Sequence, residues 1–254
     1  MIESKEALHP LRNRILAGLP IADFERLLPE LELVELRYGE VLYQSDEPIR
    51  HVYFPNLGTI SLIVVMENGA QAEVGIVGGE GMLGLSVVLG AESSPHLAIA
   101  QIPDNAMKMS VKALRAEVAQ GNPLYRLLLR YAEALFIQTA QIAACNRLHH
   151  LDGRLARWLL MSQDRLKSDR LQSTQEFIAT MLGVRRAGVT AAATALQEAG
   201  VISYSRGTIH ILNRKHLEKA SCECYKVVEK ELDRLFTPAR IRHHPLLPNR
   251  NIRA

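Results

Sequence analysis

The stretch LGVRRAGVTAAATALQEAGVI, residues 182–202, places two adjacent arginines, Arg185 and Arg186, beside a glycine at the mouth of a helix. The helix macrodipole disfavours positive charge at that end. A chain that puts two cations there is arranged to meet something strongly negative. The flanking residues sharpen the reading. Upstream, Ser173 with Glu176 three residues on fits a capping box that opens the helix TQEFIATM. Leu182-Gly183-Val184 then reads as a tight turn, and the second helix runs to Gly200, which suits the position after a helix end. Downstream, VISYSRGTIHIL reads as two short strands around Arg206-Gly207.

Helix, short turn, helix and β-hairpin together make a winged helix-turn-helix. In that motif the second helix presents its N-terminal residues to base edges in the major groove of DNA. Arginine suits the position because its fork donates to guanine O6 and N7 together, and it is drawn to phosphate wherever it misses a base. Ala191-Ala192-Ala193 would let this helix pack closely on its partner, and Arg206 would bring one positive charge to the hairpin tip.

The bulk numbers agree. The chain has 254 residues, 48% of them hydrophobic and 22% charged, as in an ordinary globular protein of one large or two modest domains. The formal net charge of +3 hides an asymmetry. Residues 1–120 hold 9 Lys/Arg and 16 Asp/Glu, whereas residues 121–254 hold 21 and 11. Only the second half is built to meet a polyanion. No apolar run is long enough to span a membrane, and MIESKEALHP lacks a signal-peptide pattern, so a cytoplasmic location is expected.

Ahead of the basic half the texture is different. Residues 20–36 read as a short helix and an alternating segment. From Tyr38 to about residue 110, short β-branched and aromatic runs alternate with Gly, Asn, Asp and Pro turns, including a hairpin signal at Asn68-Gly69. Strands at that spacing predict a compact antiparallel β-roll or barrel. VKALRAEVAQGNP reads as a helix with a break at Gly121-Asn122-Pro123. The longest helix follows. Along it Leu124, Leu128, Tyr131, Leu135, Gln138, Ile142, Cys145 and His149 fall at alternating spacings of four and three. One reading is an amphipathic core helix. The other is a parallel homodimer seam, with the face of Leu127, Ala134 and Ile137 against the roll.

This order of parts resembles the Crp/Fnr family of bacterial transcription regulators, from about residue 20 to 236. The resemblance is most specific in STQEFIATMLGVRRAGVTAAATALQEAGVI and looser around YGEVLY and GGEGMLG. It implies an α+β chain: a cyclic-nucleotide-binding-like β-roll sensor over 1–120, a dimerisation helix over 121–150, and a winged helix-turn-helix over 151–236. A basic, disordered tail is expected over 237–254. The implied partners are a second copy, a near-palindromic double-stranded DNA operator, RNA polymerase, and a small-molecule effector held between the roll and the dimer helix. The implied dimer interface is Leu124, Leu128, Tyr131, Leu135, Gln138, Ile142 and Cys145. The implied DNA contacts are Arg185, Arg186, Thr190, Thr174, Gln175, Arg206 and Thr208, with Arg186 at the family's guanine-reading arginine. Ala187 replaces a base-reading glutamate found in many members, which changes the sequence to be recognised.

The sensor departs from the family further. Members that bind cyclic AMP use a glutamate for the ribose and an arginine for the cyclic phosphate. Here Leu85 stands at the glutamate position, and Pro95-His96 replaces Arg-Ser. Without those groups a buried phosphodiester would lack its partners, so a response to cyclic AMP is not expected. The effector pocket implied by position comprises Gly84, Leu85, Ser86, Ser94 and His96. Residues 1–120 contain no cysteine, so the N-terminal set of iron–sulfur members is missing.

Cys222-x-Cys224 raises a metal or redox question. Read as part of a continuous helix, the two side chains point about 200° apart and do not share one ion. Cys145 reads as a small buried hydrophobe, and His149-His150 and His243-His244 lack partners at metal spacing. No cofactor, metal or catalytic group is therefore expected, and the chain reads as a regulator rather than an enzyme. Two alternatives stay open: a thiol-based redox enzyme using Cys222 and Cys224, and a constitutive, effector-free DNA-binding protein.

Overall fold

The computed structural model describes residues 12–237, so the expectation for the tail beyond Thr237 lies outside the described residues. A buried asparagine starts it. Asn13 accepts from the Ile15 and Leu16 amides, capping helix α1 (Arg14–Ala17), and its Nδ2 donates to the carbonyls of Pro55 and Gly81 at 2.8 and 2.9 Å. Helix α2 (Ile21–Leu27) and a 3-10 turn lead into the strands. These are β1 (Glu32–Leu36), β2 (Val41–Tyr43), β3 (His51–Pro55), β4 (Thr59–Val65), β5 (Gln71–Val77), β6 (Leu97–Ile102) and β7 (Asp104–Ser110). They form two antiparallel sheets, β1-β7-β3 and β2-β6-β4-β5, which face each other as a roll. A one-turn helix, α3 (Leu85–Val88), interrupts the roll after Gly84. Gly84 has φ 97°, and a Cβ there would lie 2.6 Å from the Tyr43 hydroxyl, so this turn requires glycine.

Helix α4 (Val111–Val118) carries the chain to the break at Gly121-Asn122, where Asn122 caps the long helix α5 (Pro123–Leu148). The basic half follows as α6 (Leu151–Leu166), β8 (Arg170–Gln172), α7 (Gln175–Leu182), α8 (Arg186–Glu198), β9 (Ile202–Ser205), β10 (Thr208–Ile211), α9 (Arg214–Ala220) and α10 (Cys224–Phe236). The wing is a three-stranded sheet, β8-β10-β9, rather than the expected two-stranded hairpin. Strand β8 is only three residues long, Arg170 to Gln172 with Leu171 alone buried, too short for its alternation to mark it.

The stripe of α5 requires a correction. Leu124, Leu128, Tyr131, Gln138, Ile142 and Cys145 are buried within the single chain, and Leu135 is half-buried against the same core. They pack on the roll, α1 and α10, so this stripe is the core-facing one and not the dimer seam. Gln138 shows the consequence: its Oε1 accepts from the Ile76 amide of β5 at 2.6 Å. The alternating spacing does not separate the two readings, because both need apolar residues every three or four positions. The outward face carries Leu129, Phe136, Ala140 and Ala143, at spacings of seven, four and three, with Phe136 73% exposed.

Helix α10, expected within the DNA-binding half, runs back antiparallel along α5. Gln141 lies against Cys224 at one end, and Glu133 pairs with Arg234 at the other. Leu235 joins the core of the roll.

Between the roll and α6 lies a buried polar chain. Ser61 Oγ is 2.6 Å from Glu73 Oε2 and 3.0 Å from Gln101 Oε1. One hydroxyl proton cannot serve two acceptors, but a protonated Glu73 that donates to Ser61 leaves Ser61 free to donate to Gln101. Burial accordingly pushes the Glu73 carboxyl up from its ordinary value to about 7. The folded state then holds a proton that the unfolded state releases above about pH 4.5. Stability should therefore fall as pH rises from 5 to 8, by about 3 kcal/mol. Glu73→Gln should flatten that dependence, and urea melts of both proteins across this range provide the measurement.

Candidate nucleic-acid interface and sensor cavity

The recognition motif is assembled by local signals. Thr174, not Ser173, caps α7: its Oγ1 accepts from the Phe177 amide at 3.1 Å, while the Ser173 side chain is buried. The capping-box expectation is one residue early, because Ser173 is committed to the wing through its amide on the Gly207 carbonyl. Gly183 ends α7 with φ 61°, and Gly200 follows α8 with φ 65°. Arg185 is the N-cap of α8 without a side-chain capping bond, so this helix mouth offers its free amides and two arginines outward.

The structure brings most of the expected DNA contacts onto one surface. Thr190 Oγ1 donates to Gln175 Oε1 at 2.8 Å, tying α8 to the start of α7, and also reaches the Arg186 carbonyl one turn back. Gly207, beside Arg206, sits against Thr174. The Tyr204 hydroxyl donates to the Ser173 carbonyl at 2.8 Å, which fixes the wing to the mouth of α7. Arg206 and Gly207 both have positive φ, 48° and 77°, forming the tight turn that pushes the arginine outward. Thr174, Arg185, Arg186, Thr190 and Arg206 are exposed, and Gln175 and Thr208 are half-buried beside them. Among the described residues, none of these three arginines is in an ion pair.

On the other side of the molecule Gly84, Leu85, Ser86, Ser94 and His96 all line one cavity of about 240 Å³ between the roll and α5. Met82, Leu62, Val74 and Val77 line its floor, and Ala132, Leu135, Phe136 and Thr139 form the α5 wall. Among the described residues, no lysine, arginine, aspartate or glutamate lines it. Ser94 Oγ is 3.1 Å from His96 Nδ1, and burial lowers the His96 pKa, which favours the neutral imidazole. The cavity is thus uncharged and largely apolar.

The cysteines depart from expectation. The chain is not helical through Cys222: α9 ends at Ala220, Ser221 is extended with ψ 154°, and helix resumes at Cys224. The break lets Cys222 and Cys224 turn toward the same side, where they meet Cys145 and His149 from the end of α5. The opposed-direction argument against joint ligation therefore does not hold. Neither glycine nor proline marks the break, so helix periodicity runs straight through it.

The comparisons with known proteins agree with this geometry. A cyclic nucleotide-binding domain model matches residues 33–120, and a Crp-like helix-turn-helix domain model matches residues 153–220. No curated protein matches the chain in sequence. Similar solved structures include FixK2 from Bradyrhizobium japonicum, with 18% identity, 76% of this chain and 98% of that chain covered, and a TM-score of 0.65. Another is a transcriptional regulator of the CRP family from Thermus thermophilus (18% identity, 74% and 96% covered, TM-score 0.62). A third is the c-di-GMP responsive global regulator CLP of Xanthomonas campestris (14% identity, 76% and 100% covered, TM-score 0.59). At these identities the likeness is one of fold.

The cavity's chemistry leads to a direct expectation. With no cation to meet a phosphodiester, cyclic AMP should produce no heat of binding at micromolar concentration in a calorimetric titration. A micromolar affinity would mean that charged groups outside this cavity complete a nucleotide site.

Proposed function

Because the chain belongs to the Crp/Fnr family of DNA-binding transcription regulators, we propose that it acts in the cytoplasm as a homodimer on a near-palindromic operator, and is not an enzyme. No described helix is long and apolar enough to cross a membrane. We divide the chain into a sensor roll over 1–120, a dimer helix over 121–150 and a DNA-binding unit over 151–236, with α10 returning to the dimer helix. The observation that carries this reading is the unbalanced positive face formed by Arg185, Arg186 and Arg206 around the mouths of α7 and α8. An arginine at the α8 N-terminus opposes the helix dipole by roughly 0.3–1 kcal/mol. A phosphate or guanine acceptor offsets that cost, and a solvated surface does not.

In this reading Arg186 reads a guanine, Arg185 and Thr190 flank it, and Arg206 holds phosphate from the wing, with Thr174, Gln175 and Thr208 positioned along the same backbone. The two copies meet through the outward face of α5, Leu129, Phe136, Ala140 and Ala143, which is apolar and exposed in the single chain. The uncharged cavity would take an apolar small-molecule effector, and its α5 wall includes Phe136, on the proposed seam. RNA polymerase is the further partner that such a regulator requires.

Two measurements test this. Arg186→Ala should weaken binding by about 1–3 kcal/mol per half-site on the operator and much less on scrambled DNA. Arg206→Ala should weaken both alike and lower the salt slope by about one unit per contact. Equal losses on both DNAs for Arg186→Ala would reduce that arginine to a phosphate contact. Separately, Phe136→Asp should give a monomer in sedimentation while the fold survives, since Phe136 lies outside the chain's own core. A dimer that persists in that variant would place the seam elsewhere.

A further inference from the structure

The four side chains at the junction of α5 and α10 form a closed set. Cys145 Sγ, His149, Cys222 Sγ and Cys224 Sγ present ligand atoms that all lie within 4.8 Å of one another. Cys145 and Cys222 sulfurs are 3.5 Å apart, and Cys224 Sγ is 3.4 Å from His149 Nδ1. Arms of about 2.3 Å to sulfur and about 2.0 Å to nitrogen put the ligand atoms of a tetrahedral zinc ion about 3.5–3.8 Å apart. The spacing matches one ion. An iron–sulfur cluster, whose ligands sit on different iron atoms, needs a wider opening.

We propose that Cys145, His149, Cys222 and Cys224 bind a single zinc ion in a tetrahedral Cys₃His site. The backbone is arranged for it at both ends. Cys145 and His149 are four apart, so they share one face of α5, and His149 leaves the helix as its C-cap with ψ 146°. The extended Ser221 and the turn at Glu223 bring Cys222 and Cys224 to the same point. Gly153 of α6 lies alongside this segment, and a Cβ there would make ordinary contact with the Cys222 amide at 3.5 Å.

The surroundings carry the marks of an outer coordination sphere. His149 turns Nδ1 toward the sulfurs and Nε2 toward Glu223 Oε1 at 3.3 Å, the carboxylate–imidazole arrangement that fixes a ligating histidine. Gln141 Nε2 donates to Cys224 Sγ at 3.1 Å, as suits a thiolate. Three thiolates, one neutral imidazole and a divalent ion leave a net charge of −1. Arg154 and Arg157 are buried nearby, in no ion pair among the described residues, and each has an Nε without a partner. The anionic centre supplies the countercharge that two such guanidiniums need. Two ligands belong to α5 and two to the segment that opens α10, so the ion clamps the end of the long helix to the close of the DNA-binding unit.

The test uses full-length protein, stripped of metal and fully reduced, titrated with Zn(II) or Co(II) alone. Uptake of about one ion per chain is expected. The Co(II) form should show thiolate-to-metal charge transfer and the intense d–d bands of a tetrahedral site. Cys145→Ser and Cys222→Ser should lose the charge-transfer intensity in proportion and bind more weakly. Glu223→Gln keeps all four ligands and faces solvent, so it should fold normally while its Co(II) affinity falls about 10–100-fold. That loss, without any change in the melting of the metal-free protein, separates an outer-sphere role from a structural one. No uptake by the reduced wild type, octahedral cobalt spectra, co-purifying iron with acid-labile sulfide, or unchanged affinity in Glu223→Gln would each overturn the proposal. Metal binding is read without DNA, so its failure is distinct from failure of the operator reading.

Discussion

A buried ion pair between the sensor roll and the DNA-binding unit sets the arrangement of everything else. Glu80 and Arg165 are each almost wholly enclosed, with Nη2 2.5 Å and Nε 3.0 Å from the same carboxylate oxygen. Arg165 also donates to the Met161 carbonyl, so the guanidinium is oriented from its own helix before it meets the roll. Such a pair adds little net stability, because desolvating two ions costs about what their attraction returns. Its effect is directional. Losing either partner would leave a bare charge inside, at about 3–5 kcal/mol, so α6 is held to one orientation on the roll.

The loop that carries Glu80 explains its glycines. A Cβ on Gly78 would lie 2.7 Å from Arg165 Cδ, and one on Gly81 would lie 2.2 Å from the Tyr131 hydroxyl. GGEG is thus shaped by its neighbours on α6 and α5 at once. The same loop leads through Met82 and Leu83 to Gly84 and Leu85, which wall the cavity. A ligand that displaced Leu85 or Ser86 would act on a segment already in contact with both the long helix and the base of the DNA-binding unit. The physical route between cavity and α6 is therefore about five residues of close-packed backbone, with the rigid pair at its far end.

How legible these features are depends on whether the deciding signal is local. The helix-turn-helix can be read because Gly183, Gly200 and Arg206-Gly207 each demand a left-handed backbone at a fixed place, and the arginines at the helix mouth follow from that frame. The cavity residues can be placed by family resemblance, and their missing charges follow from residue type alone. The face of α5 cannot, since the Leu124–Cys145 stripe and the outward Leu129, Phe136, Ala140 and Ala143 both fit a seven-residue helical repeat. The choice between them rests on α10 folding back, which no local pattern announces. Ser173 and Thr174 both suit the cap position, and only the wing's claim on the Ser173 backbone decides for Thr174. The Cys/His cluster is hidden for a related reason. Its four members come from segments 73 residues apart at their nearest, between His149 and Cys222, and they meet through a break at Ser221 that lacks glycine and proline.

Helix α5 serves three directions at once, and its length follows from that. Its inner face closes the core of the roll through Leu128 and Tyr131, and its flank walls the cavity through Leu135 and Thr139. Its outer face leaves Phe136 exposed, one residue from Leu135 in the cavity wall. Neighbouring residues on a helix point about 100° apart, so Leu135 and Phe136 set the cavity wall and the exposed outer face side by side on one turn of α5. At the C-terminal end, Cys145 and His149 join the segment that opens α10, while His150 begins the turn into α6. A change of pitch or rotation anywhere along α5 must then be absorbed at that end, either by the junction or by the orientation of α6. With α6 held to the roll through Arg165 and α10 laid back along α5, the C-terminal end of the long helix is packed from both sides, and the chain passes from it directly into the helix that supports α8.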